Sequence, residues 1–257
     1  MTTYSSGWAL VTGASSGLGR GFATRLAADG MSLVLVSRST VILHDLADEL
    51  REAYGVEVEV VGADLADPVA RDAVVKVIES RDIDLLVNNA GFATSGDFVD
   101  ENPARITELV SLNCVALTVL ARAAATRMVA RGHGAIVNVA STAAFQPIPT
   151  MGTYAASKAY VLRLSLAMWD ELRPKGVTVL ALCPGATETE FWKVAGNPDG
   201  FRRRRTVAQV IATCFDGLAK GSPIAIDGAW NALLARMAPF VPIRLTMLVS
   251  RYIARRP

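Results

Sequence analysis

Seven short apolar runs divide this chain, at residues 8–13, 32–38, 56–64, 84–91, 134–141, 177–185 and 223–228. Stretches with helical spacing separate them, at 18–28, 40–54, 68–80, 103–131, 152–174 and 206–219. Such alternation leaves little choice of fold. Parallel strands need a long crossover connection, and a helix is its usual form. Most of the runs are apolar on both faces, as strands covered by helices on each side must be. The run VEVEVV at 56–61 alternates instead, which predicts an edge strand or one wet face. The expected architecture is α/β, a doubly wound parallel sheet of about seven strands in three α/β/α layers. Ligands of such sheets bind beyond the C-terminal strand ends.

Helix starts are written into the sequence. Asp67 precedes Pro68, a cap followed by a proline at the first helical position. Thr206 and Gln209 have the spacing of a capping box. The 257 residues fit one large domain better than two small ones. A net charge of +2 carries no nucleic-acid footprint. Two histidines, His44 and His133, lie far apart without a cluster of carboxylates or thiolates, so no metal site is expected and both read as surface residues. Cys114, Cys183 and Cys214 form no C-x-x-C pair, and no signal peptide opens the chain; a reduced, cytoplasmic setting is expected. No apolar run is read as a membrane span.

The stretch VTGASSGLGR at 11–20 joins the first strand to the first helix. Its G-x-x-x-G-x-G spacing is neither the G-x-G-x-x-G fingerprint nor a P-loop. A glycine turn that opens a helix still presents unpaired N–H groups and the positive end of a helix dipole, and a diphosphate suits both. Gly13, Gly17 and Gly19 allow close approach, and Ser15 and Ser16 add hydroxyls; a purely structural turn is the alternative. At the end of the second strand, Ser37 and Arg38 stand where an NAD site carries a carboxylate for the ribose 2′-OH. A guanidinium there suits a 2′-phosphate, so NADP(H) is the expected cofactor.

Residues 154–158 read YAASK, with Tyr154 and Lys158 four apart on one helix face. A nearby ammonium is expected to lower the phenol's pKa and make Tyr154 a useful proton-transfer group. The similar spacing of Tyr252 and Arg256 is assigned no chemistry. Ser141 ends a strand at the ligand edge, where its hydroxyl can polarise a carbonyl oxygen or be a plain strand-end cap. Asn113 lies in the long helical stretch, where the ordinary reading is a polar residue that kinks a helix. NNAG at 88–91 ends another strand.

TGASSGLG, NNAG, Ser141, Y-x-x-x-K and the later PG at 184–185 occur in an order that resembles the short-chain dehydrogenase/reductase family, from Trp8 to Gly228. That resemblance implies a Rossmann-type dinucleotide-binding and catalytic unit over 1–228, with 229–257 as a helical extension of the same domain. It makes Asn113, Ser141, Tyr154 and Lys158 a catalytic tetrad. Tyr154 protonates the carbonyl oxygen during reduction, and Ser141 orients that oxygen. Lys158 binds the nicotinamide ribose and tunes Tyr154, and Asn113 holds a water in the proton relay. It also implies cofactor contacts from Gly13, Ser15, Ser16, Gly17, Leu18, Gly19 and Arg38. Asp64 and Leu65 belong at the adenine pocket and Asn89, Ala90 and Gly91 beside them, with Pro184, Gly185 and Thr187 at the carboxamide. The implied activity is an NADP(H)-dependent oxidoreductase acting on a secondary alcohol or ketone, with an apolar or lipid-like carbonyl as substrate. The alternatives are a non-catalytic cofactor-binding regulator and a dehydratase or epimerase using bound cofactor. A homodimer through 103–131 and 152–174 is implied; a tetramer is left open by the unusual tail.

The resemblance places a substrate lid at 187–205. Phe191, Trp192 and Val194 are candidates to cover an apolar substrate, and Phe92, Phe145, Ile148 and Met151 to line the other walls. Arg202–Arg205 read as a solvated surface or as a grip on an anionic carrier. In the tail, Leu245, Met247, Leu248, Val249, Tyr252 and Ile253 are apolar, while Arg244, Arg251 and Arg255 form a narrow stripe at helical spacing. Closure over the pocket or packing on a partner subunit is the leading reading of this helix. Peripheral membrane contact through 240–256 is the lesser one.

Overall fold

A computed structural model describes residues 6–191 and 204–254. Seven parallel strands form one sheet: β1 (Trp8–Thr12), β2 (Ser32–Ser37), β3 (Val58–Gly62), β4 (Ile83–Asn88), β5 (Gly134–Val139), β6 (Val177–Cys183) and β7 (Ile224–Ile226). Their order is β3-β2-β1-β4-β5-β6-β7. The chain winds outward from β1 to β3, then returns to pair β4 with β1 and winds the other way. The two loops leaving β1 and β4 therefore diverge and leave a crevice between them, at the C-terminal strand ends.

Alternate strand residues feed two cores. Ala9, Val11, Leu33 and Leu35 pack with Phe22 and Leu26 of α1 (Gly17–Ala28), Leu43, Leu46 and Leu50 of α2 (Thr40–Tyr54), and Val210 and Leu218 of α7 (Val207–Ala219). Leu10, Val34, Leu86 and Ile136 face the other way. They meet Val74 and Ile78 of α3 (Pro68–Ser80) and Leu120 and Met128 of α5 (Leu117–Arg131). This two-sided burial is the reason the strands read as continuous apolar runs. The alternating run lies where expected, since β3 is an edge strand, and Glu59 on it pairs with Arg81.

Both anticipated caps form. Asp67 accepts from the Ala70 amide at 2.8 Å, and Thr206 and Gln209 bond each other's backbone N–H. Two expectations are corrected. The stretch 103–131 is not one regular helix: α4 (Pro103–Val110) and α5 are joined by a π-helical turn, Ser111–Ala116. That stretch is also long and apolar enough, by length and composition, to cross a membrane, contrary to the sequence reading. Half of its most apolar window is buried in the protein, because α5 lies on β4 and β5.

Under α6 (Gly152–Leu172) a buried polar chain crosses the middle of the sheet. Asn88 donates to Asn138 Oδ1 at 3.1 Å and to the Leu117 carbonyl at 3.2 Å. Asn138 donates to Ser165 Oγ at 3.0 Å, and Ser165 donates to the Val161 carbonyl at 2.7 Å. Asn138 and Ser165 are wholly buried, so each group depends on its neighbour for a partner. Asn138→Ala should lower the unfolding free energy by about 1–3 kcal/mol, the cost of stranding buried polar groups. Urea unfolding monitored by circular dichroism checks it.

Candidate active site

The β1–α1 turn is shaped by steric necessity. Gly13 has φ of 65° and Gly17 φ of 53°, both in the left-handed region. A Cβ on Gly19 would stand 2.0 Å from the Gly13 carbonyl oxygen. Only glycine lets α1 begin this close to the end of β1. Ser16, at the N-cap, makes no side-chain bond to the first-turn amides, and no acidic residue lies in that turn. The helix start therefore presents N–H donors without a competing carboxylate, which fits a bound diphosphate. The crevice itself is held by Thr12, which the sequence reading passed over. Its hydroxyl accepts from the Asn89 and Ala90 amides, both at 2.9 Å, and Asn89 Nδ2 returns a bond to the Thr12 carbonyl at 2.9 Å.

A single cavity of about 400 Å³ runs from this turn across the strand ends to Tyr154. Its wall includes Gly13, Ser15, Ser16, Gly17, Leu18, Arg38, Asp64 and Leu65 on one side. Asn89, Ala90, Gly91, Ser141, Lys158, Pro184, Gly185 and Thr187 follow toward the other end. Of the residues expected at the site, Gly19 and Asn113 alone do not line it. Gly19 sits within the turn. Asn113 is buried behind the wall in the π-helical turn and clamps the chain after β4. Its Nδ2 donates to the Phe92 carbonyl at 3.0 Å and its Oδ1 accepts from the Phe92 amide at 3.2 Å. Asn113 Nδ2 also donates to Ser157 Oγ at 3.1 Å, and Ser157 donates to the Tyr154 carbonyl at 2.7 Å. Ser157 is a second residue missed in the sequence, because its partner is 44 positions away.

Tyr154 and Lys158 share a face of α6, as their spacing required. Lys158 Nζ lies 5.8 Å from the centre of the Tyr154 ring and donates to the Val139 carbonyl at 2.8 Å. Ser141 caps the turn Thr142–Phe145, accepting from the Ala143 amide at 3.1 Å. Burial pushes the Tyr154 phenol up to about 12, a rise the Ser141 hydroxyl opposes. The expected lowering of the phenol by Lys158 is thus corrected for the protein alone: desolvation of a buried phenolate outweighs an ammonium bound elsewhere. Burial also brings Lys158 down to about 8, which a thiolate at Cys114 or Cys183 would oppose. Those two thiols are themselves raised by burial, so at neutral pH they carry no charge to offer.

Arg38 stands at the cavity's far end, but not alone. Its Nη1 is 3.1 Å from Glu108 Oε1 and 3.9 Å from Asp64 Oδ2, and Arg105 pairs with the same Glu108. The sequence reading found no carboxylate near Arg38. The fold supplies two, from the end of β3 and from α4. Among the expected cavity walls, Phe92, Ile148, Met151 and Phe191 are present, and the Phe191 ring lies 5.5 Å from Tyr154. Phe145 is corrected: it packs against the cluster of Leu117, Val161 and Leu162. Trp192, Val194, Arg202 and Arg203 lie outside the described residues. Arg205 is no anion grip, for its Nε and Nη2 meet the buried Asp227 carboxylate at 2.9 and 3.0 Å. The backbones of Arg205 and Ala186 also bond at 2.8 Å, which brings the two ends of the 187–205 segment together.

Residues 7–199 match the short chain dehydrogenase family model. The very-long-chain 3-oxoacyl-CoA reductase of Pyrenophora tritici-repentis is 35% identical over 193 residues, which is 73% of this chain and 57% of that protein. The chain thus matches little more than half of that relative's length. A short-chain dehydrogenase from Sphingobium yanoikuyae in complex with NADPH is 40% identical with a TM-score of 0.84, covering 91% of this chain and 94% of the other. The bulky-bulky ketone specific alcohol dehydrogenase from Comamonas testosteroni is 36% identical with a TM-score of 0.80, covering 91% and 93%.

The lowered Lys158 carries a stability signature. A base whose folded pKa lies below its ordinary 10.5 destabilises the fold while charged, and the penalty fades as pH rises from about 8 to 10.5. Lys158→Met should therefore gain stability relative to the parent below pH 8, and that relative gain should shrink across pH 8–10.5. Thermal melts of both proteins over this range check it.

Proposed function

The chain belongs to the short chain dehydrogenase family, and from that premise we propose that it is an NADP(H)-dependent oxidoreductase interconverting a secondary alcohol and a ketone with an apolar or lipid-like body. The observation that carries this reading is the single cavity joining the glycine turn to Tyr154, Lys158 and Ser141. One end suits a dinucleotide and the other a carbonyl. When bound, the nicotinamide supplies or accepts the hydride.

In this reading the chain's own groups do the proton work. The Tyr154 hydroxyl, protonated at neutral pH as any phenol is, gives its proton to the carbonyl oxygen during reduction. Ser141 donates to the same oxygen as charge develops on it. Lys158, its ammonium anchored on the Val139 carbonyl, grips the nicotinamide ribose beside Tyr154. Asn113 acts as a positioning residue: its clamp on Phe92 and its bond to Ser157 fix the wall facing Tyr154. The apolar surfaces of Phe92, Ile148, Met151 and Phe191 favour a hydrophobic substrate body. The relatives named for very-long-chain 3-oxoacyl-CoA and for bulky ketones support the same substrate class. The homodimer contact is proposed on the helices at 103–131 and α6, where Val115 and Tyr160 are exposed.

Cofactor choice rests on Arg38. Its carboxylate partners compete with a 2′-phosphate for the guanidinium, so NADP(H) preference should be real but held in check. Glu108→Gln should raise the NADPH-to-NADH ratio of kcat/KM by about fivefold, the worth of freeing one exposed pair. Arg38→Asp should lower that ratio at least about tenfold. An unchanged ratio in both variants would remove Arg38 from cofactor choice. Tyr154→Phe should retain NADPH binding, followed by fluorescence titration, while kcat falls by about 10³-fold in ketone reduction. Turnover near that of the parent would sink the assignment of Tyr154 as proton donor.

A further inference from the structure

Beyond β7 the chain forms α8 (Ala229–Met237), a short turn at Ala238–Phe240, and α9 (Ile243–Ala254). Both helices face the wrong way for a soluble surface. On α8, Ala235 is buried and Asn231 half-buried, while Trp230, Leu233, Leu234 and Met237 are exposed. On α9, Thr246 is buried while Ile243, Leu245, Met247 and Leu248 are exposed. Phe240, between the helices, is 81% exposed and Trp230 is 68% exposed. Apolar side chains exposed at this density mark an interaction site. Arg236 and Arg244 flank it, both exposed. Across residues 229–257 the sequence holds Arg236, Arg244, Arg251, Arg255 and Arg256 and no aspartate or glutamate.

We infer that this extension is a membrane-surface seat that lies on an anionic lipid leaflet. The charge pattern selects that occupant. A second copy docking the same patch on itself would set arginine against arginine with no acid to pair them. An anionic leaflet offers what the patch lacks: phosphate partners for the guanidiniums and an acyl boundary for Trp230, Phe240 and Leu248. The seat adjoins the Ser141 end of the cavity. α8 packs against the Thr142–Phe145 turn, and Asn231 covers Gly185, where a Cβ would meet its Nδ2 at 2.3 Å. A bilayer-dissolved molecule would thus be held near the cavity's carbonyl end. The inference stands on the extension alone and does not need the redox reading.

The test is flotation of the full chain with phosphatidylcholine vesicles containing or lacking phosphatidylglycerol, at low and at physiological salt. The protein should float with the anionic vesicles and remain in solution with the neutral ones, and each arginine changed to glutamine at 236 or 244 should weaken partition by about fivefold. A triple variant, Trp230→Ser with Phe240→Ser and Leu248→Ser, should lose flotation while retaining the parent's melting temperature. All three sites are exposed, so the fold does not depend on them. Failure of the parent to float with anionic vesicles overturns the inference. So does a triple variant that floats as the parent does but elutes as a smaller species in gel filtration, which would make the patch a contact between copies. Ketone reduction measured on the same samples without vesicles keeps the two readings separable.

Discussion

The Thr12 hydroxyl is the hinge pin of this structure. It accepts two amide bonds from the far side of the crevice, at Asn89 and Ala90, and so fixes how far β1 and β4 separate beyond the sheet. The reversal of strand order opens that crevice, and the glycines let α1 start within contact of its wall. Beyond it, the Asn113 clamp on Phe92 fixes the next stretch of the chain after β4.

Burial sets the chemistry at the other end of the cavity. Tyr154, Lys158 and Asn113 are all nearly inaccessible, and each polar atom is placed against a backbone carbonyl, a backbone amide or a hydroxyl. Desolvation raises the phenol and lowers the ammonium, so their proton affinities are driven apart, each in the direction opposite to simple charge attraction. At neutral pH both groups keep their protons, the phenol as the donor a reduction needs and the lysine as the cation beside it.

The extension obeys a different rule from the rest of the chain. In the sheet and its helices, most apolar side chains turn inward. In α8 and α9, alanine, asparagine and threonine lie against the protein, while tryptophan, leucine and methionine stand outside together with Arg236 and Arg244. Helices that leave this much apolar surface in the open have their hydrophobic partner elsewhere.

Features that repeat locally were legible in the chain. Strand and helix periods, the caps at Asp67 and Thr206, the edge character of β3, the glycine turn and the shared face of Tyr154 and Lys158 all depend on neighbours a few residues apart. Tertiary structure decided whatever joins distant segments. Arg38 meets Glu108 across 70 positions, Asn113 meets Ser157 across 44, and Arg205 finds Asp227 across 22. The direction of Phe145, the π-helical turn around Asn113 and the outward face of the tail belong to the same class. A side chain's partner, and hence its charge state and its freedom to bind, is chosen by packing between elements, and no local period in the sequence encodes that choice.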